Sequence, residues 1–460
     1  MAPAGTVGAM SQKTVMWFRR DLRLGDNPAL LDACAGDGVL PLFVLDPVLW
    51  EPAGISRRVY LGRSLRALDA SLGRRGAGLS VVAGDPVRCV PEAARAVGAS
   101  RVHVAADYGP YGQRRDAEVE RALADTDIEL VRTGSPYAVA PDRVRNGSGR
   151  PYQVYTPFSR AWAEHGWRAP VEAPDQATWL SLEETTAVPD PEPPEGLELP
   201  EAGEDVALRR WNRYVEERLA DYDDERDRPD LDSTSRMSVH LKWGEIHPRT
   251  MLASLEGRVG KGPTTYRKEL AWREFYADVL FQQPQSARDY LRTEYAKLEY
   301  DDPAPVIDAW REGRTGYPIV DAGMRQLRAV GWMHNRVRMI VASFLVKDLH
   351  VEWQHGARHF MRWLVDADLA SNQHNWQWNA GSGTDAAPFF RVFNPVSQGK
   401  KFDPQGSYVR RWVPELRDLA PAYVHEPWKA ASPPEAYPQP MVDHLQERAE
   451  ALARFERIKQ

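Results

Sequence analysis

Two stretches decide how this chain is read: TGYPIVDAGMRQLRAVGWMHNRVRMIVASF (315–344) and DADLASNQHNWQWNAGSGTDAAPFFRVFNP (366–395). In and between them Trp332, Trp353, Trp363, Trp376 and Trp378 stand among Asn, His and Arg. That mixture is neither a plain apolar core nor a plain charged surface. It suits a site that holds a large flat heterocycle and handles electrons or stacked bases. In the predicted helix 334–350, Val337, Val341 and Phe344 pack inward while Asn335, Arg338 and Met339 project together at i, i+3 and i+4. Asp366 and Asp368 stand two residues apart, ahead of Asn372, Trp376 and Trp378. A buried carboxylate needs a partner, and Arg338 is the candidate for Asp366. No third hard-oxygen ligand follows at loop spacing, so a metal site is not expected here. His355 and His359 lack the Glu of a zinc H-E-x-x-H motif and are expected to be a surface pair.

Working outward, 460 residues exceed what one hydrophobic core supports, so two or three domains are expected. The longest apolar run, 340–346, is far below the roughly 20 residues that span a bilayer. Cys34 and Cys89 are the only cysteines, which excludes a disulfide framework and suits a cytoplasmic protein. The net charge is −6, but it is unevenly placed. Residues 171–205 carry 11 acidic and no basic side chains, while 310–412 carry 14 basic against 8 acidic ones. Local field, not the whole-chain sum, attracts phosphate. Such an excess fits a nucleic-acid surface or simply solvated helix faces.

The predicted organisation is a disordered N-terminus (1–13), an α/β domain (14–135), a connector (136–205) acidic and Pro-rich over 171–205, and an all-helical domain (206–460). Apolar runs at 14–18, 39–45, 79–82, 101–105 and 128–132 alternate with helical patterns, which predicts a parallel sheet covered on both faces. No G-x-G-x-x-G dinucleotide fingerprint accompanies it. A helix is predicted to open at Thr264 or Thr265 and run to 282. Its Ala271, Phe275 and Val279 face the core, and Glu269, Trp272, Arg273 and Tyr276 share the other face. That stripe suits a stacked, hydrogen-bonded ligand, or an amphipathic helix with a surface ion pair.

Together with MWFRRDLRLGDNPAL (16–30), YDDERDRP (222–229), TSRMSVHLKWGEIHPR (234–249) and ELAWREFY (269–276), these segments resemble the photolyase/cryptochrome family. The likeness is greatest to its microbial class I cyclobutane pyrimidine dimer photolyases and covers roughly 400 residues in order. It implies a Rossmann-like α/β domain followed by a larger all-α domain that binds FAD. Tyr222 and Thr234, Ser235, Arg236, Met237 and Ser238 match the phosphate and ribose contacts. Arg338, Asp366, Ala367 and Asp368 match the segment beside the rings, and Asn372 the residue against flavin N5. The implied reaction is light-dependent DNA repair. Excited FADH⁻ donates an electron to a flipped-out dimer in UV-damaged DNA, both cyclobutane bonds cleave, and the electron returns.

The same resemblance implies that Trp272 and Trp378 stack on the dimer and that Glu269 and Asn335 hydrogen-bond it, with Met339 alongside. Arg226, Arg273, Arg336, Gln398 and Lys401 would meet the DNA backbone without sequence preference, with Tyr276 on the same binding face. Trp376 and Trp353 match the inner and middle members of an electron-transfer route. Its outer position falls on Tyr300 in place of a tryptophan, with Trp310 as another outlet. Ser233 stands where relatives usually carry Gly. The segment 106–116 resembles the branch that harvests light with 8-hydroxy-deazaflavin more than the methenyltetrahydrofolate branch. Asp107 is the implied contact, although Gly109 stands where that branch often has Glu. A monomer is expected. Glu269, Trp272, Met339 and Asn372 take the repair-type residue, not that of a cryptochrome photoreceptor. His334-Asn335 follows the pattern for cyclobutane dimers, not (6-4) photoproducts.

Overall fold

The computed structural model describes residues 12–386 and 388–459. The expected disordered N-terminus lies outside them up to residue 11, and Lys13 already opens the first strand. Each of the five apolar runs forms a strand: β1 (Lys13–Phe18), β2 (Gly38–Leu45), β3 (Ser80–Ala83), β4 (Arg101–Val104) and β5 (Glu129–Arg132). All pair in parallel, in the order β3-β2-β1-β4-β5. Val15, Trp17, Leu40 and Leu42 face one core, and Met16, Phe18, Val39 and Phe43 the other. Burial on both faces is why these runs are continuously apolar and do not alternate. The chain winds outward from β1 in one direction and then from β4 in the other. A crevice therefore opens beyond the carboxyl ends of β1 and β4.

The acidic connector supplies its own anchors to this sheet. Val39 N–H donates to Thr178 at 2.8 Å and Leu180 N–H donates back to Val39 at 2.9 Å. Trp179 and Leu180 pack against opposite cores of the α/β unit. From Glu204 onward the described residues are helical, with no strand.

The helix Lys261–Gln282 begins earlier than its sequence predicts, with Gly260 at the cap. Pro263 sits in its first turn, where no intrahelical N–H is required. Thr265 does not cap; its hydroxyl donates to Asp223 at 2.6 Å. The helices Asn335–Lys347, Trp353–Trp363 and Leu369–Ala380 pack around a core that buries Trp310, Trp353, Trp376 and Phe344. His359 corrects the expected surface pair: it is buried, edge-on to Trp310 at 5.4 Å. The helix His444–Ile458 closes the outside, inserting Ala451 into the core. Among the described residues no helix is long and apolar enough to cross a membrane.

Candidate functional site: a cavity in the helical region

The 261–282 and 335–347 helices and the 366–378 segment enclose a cavity of about 420 Å³. Helical periodicity explains its walls, since residues three and four apart share a face. Glu269, Trp272, Arg273 and Tyr276 line it from one helix, and Asn335, Arg338 and Met339 from another. Trp378 lines it too, and an inner extension reaches Ala367, Asn372 and Trp376.

At one end lies Tyr222 with the stretch Thr234 to Ser238. Arg236 adopts φ +55, the left-handed region, and Met237 follows in the right-handed one (φ −69, ψ −10). Successive residues of opposite hand turn neighbouring N–H groups toward one point, a concavity suited to an anion. The Arg236 guanidinium lies over Trp332 at 4.8 Å and pairs with Asp232 at 2.7 Å. Ser235 exchanges a hydrogen bond with Tyr266 at 2.7 Å.

Arg338 donates to Asp366 at 2.8 Å and to the Met333 carbonyl at 2.8 Å. The second oxygen of Asp366, Oδ1, is buried without a partner. A buried acceptor of this kind is costly unless a ligand completes it. Asp368 works differently. One oxygen caps the 369–380 helix by accepting from Ser371 N–H at 3.0 Å. The other accepts from Arg20, which reaches across from the loop after β1, at 2.6 Å. Burial opposes ionisation of Asp368, but Arg20, Arg273 and Lys242 outweigh it and hold the carboxyl well below its ordinary range. Lys242 is pushed down to about 7 by burial and by Arg20. Asn372 spends both amide hydrogens on Ala357 carbonyl (3.1 Å) and Gln373 Oε1 (2.8 Å), which leaves its carbonyl oxygen as the free end.

At the mouth, Glu269 accepts from Arg226 at 2.6 Å. Protein surrounds this carboxyl and pushes its pKa up, against Arg226, yet 31% of the side chain still faces the cleft. The upward push is therefore as strong as the cleft is dry. Trp272 lies flat on Tyr155, 3.7 Å between centroids and 7° between planes. Arg336 pairs with Asp227 at 2.7 Å and covers Phe402 at 4.6 Å. Lys401 is exposed and Gln398 half-buried on the helix Pro395–Phe402.

Arg273 and Tyr276 stand apart from that rim. Arg273 points inward, donating to Pro136 carbonyl at 3.0 Å and covering Tyr137 at 4.9 Å. Tyr276 is buried and stacked on His374 at 5.6 Å. Both are held by the protein itself while still lining the cavity.

Behind the cavity Trp376 and Trp353 are both buried, and each indole N–H lacks a partner. Trp376 rests on the helix that carries Trp353. A Cβ at Gly356 would come within 2.1 Å of its ring, so only glycine admits the contact. Trp310 meets Trp376 edge-on at 6.2 Å and donates to Val341 carbonyl at 3.2 Å. Tyr300 is half-buried against the core, beside Tyr290.

A second cavity, about 230 Å³, fills the crevice beyond the strands. Trp17, Asp46, Asp107 and Tyr111 line it, with Lys242, Trp243 and Leu369 from the helical region. Asp107 accepts from Gly109 N–H at 3.1 Å and Arg115 at 3.3 Å. Its pKa is lowered: burial works against this, but Arg20 and Arg115 prevail. Among the described residues no group of three His, Cys, Asp or Glu could hold a metal ion. Sequence reading missed Tyr155, Arg20 and Lys242. Tyr155 and Arg20 lie over a hundred residues from the partners they touch, so no local pattern points to either.

Comparison with known proteins decides the family. Residues 14–175 match the model for DNA photolyase, and 266–457 that for the FAD binding domain of DNA photolyase. A deoxyribodipyrimidine photo-lyase of Streptomyces griseus is 41% identical, covering 97% of this chain and 98% of its own. The chain belongs to the DNA photolyase family. Among solved structures, a bacterial class III photolyase from Agrobacterium tumefaciens superposes with a TM-score of 0.92 at 36% identity, covering 99% of this chain and all of its own. An archaeal photolyase from Sulfolobus tokodaii with two FAD molecules gives 0.86 at 31% identity, covering 96% and 99%. The helical cavity fits the family's FAD: it offers the concavity at Arg236, the unpartnered Asp366 Oδ1 and the free carbonyl of Asn372.

Proposed function

We propose that this protein is a light-driven DNA-repair enzyme, a deoxyribodipyrimidine photo-lyase that splits cyclobutane pyrimidine dimers flipped out of UV-damaged DNA. One observation carries the reading. The cavity and its inner extension join the unpartnered Asp366 Oδ1 and the free carbonyl of Asn372 to an aromatic platform and a carboxyl at the mouth. When bound, reduced FAD supplies photo-excited donation of one electron. Thr234, Ser235, Met237 and Ser238 hold its pyrophosphate and ribose, with Tyr222 alongside. Asp366 would accept from its ring system, and the free carbonyl of Asn372 would offer it a further acceptor.

Trp272 and Trp378 grip the dimer by stacking, and Tyr155 stiffens the Trp272 platform. Glu269 hydrogen-bonds a dimer carbonyl on which negative charge develops. Arg226 orients Glu269, and Asn335 and Met339 complete the pocket. Arg226, Arg336, Gln398 and Lys401 meet phosphate and position the DNA. The α/β cavity takes a second, light-harvesting chromophore against Trp17 and Asp107. We assign it 8-hydroxy-deazaflavin, with methenyltetrahydrofolate as the alternative. The enzyme works as a cytoplasmic monomer.

The test is blue-light repair of a thymine-dimer oligonucleotide by purified, reduced holoprotein, beside Glu269→Ala. Light-dependent loss of dimers, weakened in the variant, supports the reading. No repair at full FAD occupancy sinks it.

A further inference from the structure

The electron-transfer route raises a question that its alignment leaves open: which side chain supplies the last electron. Tyr300 occupies the outer sequence position, but it is not the aromatic ring against Trp353. Tyr290 is. Its ring meets Trp353 edge-on, 6.1 Å between centroids and 84° between planes. Tyr290 is buried, and its hydroxyl donates to Glu352 Oε1 at 2.9 Å. Glu352 directly precedes Trp353 and is only half-buried, so it touches both the phenol and solvent. Tyr300 lies beside the Tyr290 hydroxyl, yet its own hydroxyl finds no acceptor of good geometry.

Resting on the proposed FAD site, we infer that Tyr290 is the terminal electron donor of the photoreduction route and Glu352 the base that takes its proton. The step balances. Light-excited oxidised flavin is the oxidant and draws an electron through Trp376, which leaves a hole on Trp353. Tyr290 fills that hole with one electron, its O–H bond breaks, and the proton passes to Glu352 Oε1. The products are neutral Trp353, a neutral phenoxyl and a protonated carboxyl. A buried phenol that lost only the electron would leave an uncompensated positive charge in the core, at large cost. Proton transfer along a hydrogen bond already in place avoids it. Burial, with Tyr300 and Glu352 nearby, raises the Tyr290 pKa, so the phenol holds its proton until oxidised. Trp310, which meets Trp376 edge-on, is fully buried and donates to a backbone carbonyl, a far weaker base.

The test is transient absorption and electron paramagnetic resonance after a blue flash on oxidised holoprotein, with flavin content read from its absorbance. Wild type should form a tyrosyl radical as the tryptophan radical decays. Tyr290→Phe should lose that radical, while Tyr300→Phe keeps it. Glu352→Gln should slow its formation by about a hundredfold, the scale of a lost general base, with Glu352→Asp restoring part of the rate. A tyrosyl signal that survives Tyr290→Phe, or vanishes in Tyr300→Phe alone, overturns the inference, as does an unchanged rate in Glu352→Gln. Each of these leaves the FAD site standing. Protein that takes up no flavin, or whose radicals persist in Trp376→Phe, overturns the parent reading as well.

Discussion

The two cavities spend their polar groups differently. Around the α/β cavity the lining carboxylates are taken up by the protein itself, although the Nε atoms of Arg20 and Arg57 find no partner. Arg115 binds Asp107 and Asp116, Arg19 binds Asp116, and Tyr111 donates to Asp46 at 2.5 Å. Around the helical cavity, Asp366 Oδ1 and the indole N–H of Trp376 are left without partners. A site whose carboxylates are already satisfied has little left to accept from a ligand's donors and holds a flat body mainly by packing. A site with buried groups unsatisfied is completed by its ligand and gains most from it. One contact joins the two. Arg20 of the α/β unit binds Asp368 of the helical unit, and Lys242 lines both cavities.

Acid should separate the halves most strongly. His334, His359 and His374 are pushed down to about 4, 3 and 4 by burial, all in the helical half. His334 matters most, because its neutral Nδ1 accepts from Arg336 N–H and caps the 335–347 helix. Below pH about 6.5 the unfolded chain binds protons that the folded chain refuses. The stability these groups give is thus full above that pH and lost as pH falls toward 4. Asp403, pushed up to about 6, acts in the opposite sense, because the folded chain takes its proton first. Glu269, Glu274, Asp278, Asp321 and Asp348, all raised by burial, act in the same sense as Asp403 at lower pH, so the loss due to the histidines shows most clearly just below pH about 6.5. Urea unfolding followed between pH 7 and 4 should show the helical half yielding first; the 14–135 region holds the single histidine His103.

Next in size is Asp368→Ala, which removes a helix cap and strands Arg20 beside Lys242. Breaking such a pair should cost about 3 kcal/mol in urea titration. Asp366→Asn should weaken FAD binding by about 2 kcal/mol, the scale of a charge-assisted hydrogen bond, whereas Asp107→Asn leaves it unchanged. Apoprotein titration checks both, and equal losses would mean that the two cavities do not differ in what they ask of a ligand. Trp272→Ala should cost about 1.5 kcal/mol of affinity for a dimer-containing oligonucleotide, read by fluorescence anisotropy, and little for undamaged DNA. The smallest change belongs to Lys401→Gln, which should lower the slope of log affinity against log salt by about one.

Much of the architecture is legible in the sequence. The five strands announced themselves as apolar runs because parallel strands are buried on both faces. Helical spacing likewise put Asn335, Arg338 and Met339 on one cavity wall. Errors came where tertiary contacts override local pattern. Thr265 reads as a cap, but Asp223 offers its hydroxyl a better partner. His359 reads as surface, but Trp310 covers it.

What the sequence determined by itself was periodicity and residue chemistry: the sheet, the helices, the faces they present and the family they belong to. Those are local quantities, set by spacings of two to four residues and by motifs of fixed length. The tertiary structure alone decided which distant groups meet: Tyr155 under Trp272, Arg20 on Asp368, and Tyr290 against Trp353 with Glu352 at its hydroxyl. Such contacts join segments 62 to 348 residues apart. They are fixed by packing and by the cost of burying an unpaired polar group, which no local spacing encodes.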